Sequence, residues 1–188
     1  MGLFRRLSNE PGDPVSRLDL SALPLRLAPV VADAVDANTR WRDVVDSMGD
    51  GPIGERLSKI GERIERGVVD MHATALRVGD VERVLEAVAA DRAIADYKRA
   101  KRAASGGAEP PELGALRERF ESAQRLLNIV ADAEERLRIV DARLAAAVAR
   151  GAEVALTASE PGLSEMDGDL GHVLDELTAL RAGLDAVK

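Results

Sequence analysis

Apolar residues recur along this chain at steps of three and four, in long stretches that proline does not enter. Two such runs dominate, from Ile53 to Glu109 and from Glu112 to Glu160, with Ser105 to Pro111 between them. The first carries Leu57, Ile60, Ile64, Gly67, Met71, Thr74, Val78, Val81, Leu85 and Val88 at alternating intervals, a heptad pattern of about five repeats. The second carries Leu113, Leu116, Phe120, Ala123, Leu127, Val130, Ala133, Leu137, Val140, Leu144, Val148, Gly151 and Ala155. Runs of this kind predict two long helices meeting at a short tip.

Two shorter stripes flank them. Val30, Val31, Ala34, Val35, Asn38, Trp41, Val44, Val45 and Met48 predict a helix over about 27–48, with Pro29 in its first turn. Leu170, Val173, Leu174, Leu177, Leu180, Leu184 and Val187 predict another over about 165–187, opened by a capping-box-like Ser164-Glu165-Met166-Asp167. A stripe that clean needs a partner, either the base of the long pair or the same helix of another subunit, so Leu170, Leu174, Leu177 and Leu184 are a candidate helix interface.

The predicted fold class is all-α: an elongated antiparallel helical hairpin, coiled-coil-like, with one N-terminal and one C-terminal helix packed as a three- to four-helix bundle. The long helices are expected at about 52–104 and 111–158, so that residues 24–188 form one domain. Residues 1–23 read as a short amphipathic N-terminus and a Pro/Gly linker around Pro11, Gly12 and Pro14. Met48-Gly49-Asp50-Gly51 stops one helix and Pro52 starts the next. Gly79-Asp80 is the point where the first long helix is most open to a kink or break. Pro161-Gly162 ends the second. Gly54, Gly61 and Ala75 share one flank of the first long helix and would let a third helix approach closely.

Composition narrows the function more than it names it. Hydrophobic residues make up 46% of the 188, yet the aromatics are only Phe4, Trp41, Tyr97 and Phe120, so the core must be aliphatic. Such a core suits helix packing better than a cleft for a flat cofactor. The net charge of -7 disfavours nucleic acid over most of the surface. Arginine predominates over lysine, and Ala, Val, Gly and Asp are frequent, as in GC-rich bacterial coding sequences. Arg26, Pro24, Pro29 and Asp33 interrupt the apolar stretch near the N-terminus, so neither a signal peptide nor a membrane span is read there, and a cytoplasmic protein is expected.

Candidate chemistry is sparse. With no cysteine, disulfides and thiolate chemistry drop out. Asp169 and His172 have a spacing that can serve a metal, but Val69 stands where a second such pair would need an acid before His72. Glu165, Asp167 and Asp169 alternate like a calcium loop that has Leu170 in place of the required glycine. Gly49 to Gly54 resembles a phosphate loop without its Lys-Ser/Thr ending. No catalytic, cofactor or metal residues are therefore assigned.

Two surface candidates remain. Tyr97, Lys98, Arg99, Lys101 and Arg102 form a basic end to the first long helix, suited to an anionic partner. Leu3, Phe4, Arg5, Arg6 and Leu7 form a short amphipathic end suited to an anionic bilayer. The sequence thus points to a noncatalytic helical scaffold or adaptor that acts through protein contacts and associates with itself. The alternative is a peripheral coiled-coil protein at the inner face of the membrane, touching anionic lipid through residues 1–8 and the basic tip.

Overall fold

The computed structural model describes residues 13–49, 51–104, 111–157 and 160–186. Among them are five α-helices and no strand: α1 (Ala28–Met48), α2 (Pro52–Ala87), α3 (Ala90–Ala104), α4 (Leu113–Thr157) and α5 (Glu160–Asp185). They pack as a helical bundle around an aliphatic core.

The contacts fix the directions. Arg26, just before α1, reaches both Glu82 of α2 and Glu134 of α4. Fifteen residues on, the indole of Trp41 lies against Gly61 of α2 and Gly151 of α4. Hence α1 runs with α4 and against α2. On the other side, α5 runs with α2, through Arg63 to Asp167 and Arg77 to Asp185. It runs against α4, through Arg150 to Asp169 and Arg143 to Glu176.

The glycines of this core are sites of close approach. Trp41 is fully buried, and its Nε1 donates to the Leu57 carbonyl at 3.2 Å. A Cβ on Gly61 would stand 2.9 Å from that Nε1, and one on Gly151 would overlap the six-membered ring. Tryptophan is thus admitted between α2 and α4 only because both helices lack a side chain where it enters. Gly54 does similar work at the α1–α2 turn, where a Cβ would overlap the carbonyl of Gly49, itself the helix stop at φ 66°.

The expected heptad seam of the first long helix is buried from Leu57 through Leu85, but Val88 is 47% exposed. There the helix ends. Expected as one helix to residue 104, it divides into α2 and α3, with Ala89 in the left-handed region at φ 50°. Val88 N–H still donates to Val84 and Ala89 N–H to Glu86, which caps α2 before Ala93 N–H, bonded to the Ala89 carbonyl, opens α3. Gly79-Asp80, by contrast, is continuous helix: Pro24 packs on the bare face of Gly79, and Asp80 is held by Arg77 and Arg83.

The last helix also starts earlier than its capping-box reading. It begins at Glu160, so Ser164 to Asp167 lie inside it. Proline needs no N–H partner in a first turn, and Pro161 there begins a helix instead of separating two. Within the segment read as linker, the described residues form two 3-10 turns, Val15–Arg17 and Leu20–Ala22, that lay Val15 and Leu23 on the core. His72 Nε2 meets the Asp19 carbonyl at 3.0 Å and Arg42 binds Asp13 and Glu65, tying this strap to α1 and α2.

Candidate functional site

Beyond the level of Arg26 and Asp185 the bundle thins to α3 and α4 alone. Tyr97 stacks on Phe120 with ring centroids 4.7 Å apart and planes 25° from parallel, and earlier in α3 Ala90 shares a groove with Leu127, later in α4, so the two helices run in opposite directions. α3 buries only Ala90 and Ala93. Two helices cannot enclose each other's flanks, and here the flanks are charged.

The basic end read from the sequence lies on this projecting helix. Lys98, Arg99, Lys101 and Arg102 are exposed and Tyr97 is half-buried in the stack. Lys101 Nζ stands 5.9 Å from the Tyr97 ring centre, within cation–π range. Arg99 donates to Asp96 at 3.3 Å across one turn, whereas Lys98 and Arg102 have no ion pair with a described residue. Tyr97 and Phe120 each have one face taken by the other, which leaves at most one face per ring for stacking with a nucleobase.

The other sequence candidates fare differently. Leu3, Phe4, Arg5, Arg6 and Leu7 lie outside the described residues. Leu170, Leu177 and Leu184 are each 1% exposed within the single chain, and Leu174 is half-buried near Gly67. The partner that the stripe demands is α2 and α4 of the same molecule. Asp169 is engaged by Arg150 at 2.6 Å while His172 is exposed, and both line an open groove of ≈ 520 Å³ between α4 and α5. Among the described residues no three or more His, Asp or Glu side chains converge to hold a metal ion, and no helix is long and apolar enough to cross a membrane.

The chain matches no protein-family model, no curated protein and no solved structure.

Sequence reasoning missed two features. One is a row of exposed aspartates on α1: Asp33, Asp36, Asp43 and Asp46 share the face opposite Val31, Ala34, Asn38 and Trp41 and have no ion pair with a described residue. Acids at i, i+3, i+10 and i+13, with Arg40 at i+7, were its available signal. The other is Asp141 of α4, whose Oδ1 is buried without a hydrogen-bond partner. Burial holds its carboxyl above the ordinary range, nearby Asp33 adds to this, and Arg40 opposes it. At the strap the reverse holds, since the hydrogen bond from Arg42 keeps Asp13 below that range.

Proposed function

We propose that the chain is a noncatalytic helical scaffold or adaptor that works through protein contacts and associates with itself. In this reading α2, α3 and α4 form an elongated, coiled-coil-like antiparallel hairpin, and α1, α5 and the strap brace its base. The observation that carries it is α3, a fifteen-residue helix that fully buries only Ala90 and Ala93 and leaves Lys98, Arg99, Lys101 and Arg102 exposed. A helix held out on a rigid pair is a presenting surface, and nothing in the enclosure around it suggests a reaction chamber.

Length supports the same reading. The forty-five residues of α4 span about 68 Å at 1.5 Å each, whereas a compact sphere of this chain length is roughly 42 Å across. Sedimentation velocity provides the test: a frictional ratio well above that of a sphere, with a mass above one chain, is expected. A compact monomer would sink the proposal. Flotation of the protein with anionic vesicles, lost on removing residues 1–8, would favour the lipid-contacting alternative instead.

A further inference from the structure

The proposed self-association can be given a geometry, which rests on the scaffold reading. Three unsatisfied surfaces lie on one side of the molecule. The first is the aspartate row of α1, pointing away from the core. The second is the edge of α3 that carries Lys98 and Arg102. These residues lie seven and eleven positions after Asp91 and so share its helical face. Asp91 itself lines an open groove with Arg26, Leu85, Ala89, Ala90 and Leu127, of ≈ 580 Å³, directly above the start of α1. The third is Leu25, 95% exposed and next in the chain to Arg26, which lines that groove.

Their spacing along the bundle is what makes them complementary. Arg26 is level with Glu134 and Tyr97 with Phe120, so Tyr97 stands about 21 Å above Arg26, and Lys98 and Arg102 about 23 and 29 Å above it. In the opposite direction Asp43 and Asp46 lie about 26 and 30 Å below Arg26 along α1. Lys98 and Arg102 are thus matched in distance by Asp43 and Asp46, while Asp91, about 12 Å above Arg26, comes level with Asp33 and Asp36, so the attraction sits at the two ends of the contact and not at its centre.

We infer that a second copy of the chain docks on this side, antiparallel, about a two-fold axis beside Leu25. Such an axis brings the Lys98 and Arg102 edge of each copy onto the Asp43 and Asp46 row of the other. It also brings each exposed Leu25 toward the Leu85, Ala90 and Leu127 groove of its mate. The contact is isologous, so it closes at two copies. Stacking tip on tip would oppose like charges. A nucleic acid would find only two rings, each already stacked on one face, and among the described α3 residues no large exposed apolar side chain is offered to a bilayer.

The test is charge exchange read by light scattering on size-exclusion chromatography. At about 0.1 M salt the wild type is expected as a dimer that dissociates toward about 1 M, where surface charges are screened. A tip variant, K98E with R102E, and a row variant, D43K with D46K, should each bind themselves at least tenfold more weakly. An equimolar mixture should recover the dimer, as should one chain carrying all four changes. L25S should weaken the dimer with an unchanged helical circular dichroism spectrum.

Self-association that ignores both salt and these reversals would overturn the interface while leaving the scaffold reading in place. A monomer at every salt and concentration would overturn both. A monomer that floats with anionic vesicles through Lys98 and Arg102 would hand the tip to lipid and overturn the dimer.

Discussion

At the scale of single residues, two aspartates couple this fold to pH with opposite signs. Asp13 is held below the ordinary carboxylate range by Arg42, so its stabilising contribution is full above that range and is lost as the pH falls through its lowered value. Asp141 is raised by burial and by Asp33, so the folded state takes up its proton first, and its stabilising contribution declines as pH rises through the raised value. Asp141→Asn should therefore raise the melting temperature at neutral pH, with the advantage shrinking in acid; an advantage that grew in acid would contradict the assignment. The glycines divide just as sharply. Gly151→Ala must displace the Trp41 ring and should cost about 1–3 kcal/mol by chemical denaturation. Gly168→Ala, in α5 with nothing within 4 Å of the new methyl, should gain up to about 1 kcal/mol. The sequence told that Gly61 and its neighbours needed a packing reason. It could not tell that one indole from α1 was the reason for both Gly61 and Gly151, because that pairing depends on the register of three helices.

At the scale of elements, periodicity was a good guide wherever burial was continuous and a poor one where it stopped. The limits of α1, the start of α2 at Pro52 and the whole of α4 were legible from apolar spacing and from Gly and Pro. The break between α2 and α3 was not, since Val88-Ala89-Ala90 contains neither glycine nor proline. It falls where α1 and α5 no longer flank the pair and the seam must change from a four-helix to a two-helix register. An alanine in the left-handed region costs about 1 kcal/mol relative to glycine, partly offset by the greater freedom of unfolded glycine. Ala89→Gly is thus expected to raise the denaturation midpoint slightly and Ala89→Val to lower it clearly. If valine were tolerated there, the left-handed turn would be wrong. Gly79 misled in the other direction, because a glycine that usually signals a break is covered by the ring of Pro24.

At the scale of the whole molecule, the base is four helices deep and the far end two. Cooperative protection tracks buried contact, so amides of α3 and the first turns of α4 should exchange with solvent well before those between Leu57 and Val78 of α2. The measurement belongs at about 1 M salt, where the two copies are apart, and equal protection along the length there would contradict a two-helix far end. The division also bears on how the protein can be watched. Its single tryptophan is sealed into the four-helix base and its single tyrosine is stacked in the two-helix end. Each end of the molecule thus has its own optical reporter, with no labelling required. Tryptophan emission and tyrosine absorbance that change together on heating would report one melting body, while tyrosine moving first would report a tip that comes apart on a standing base.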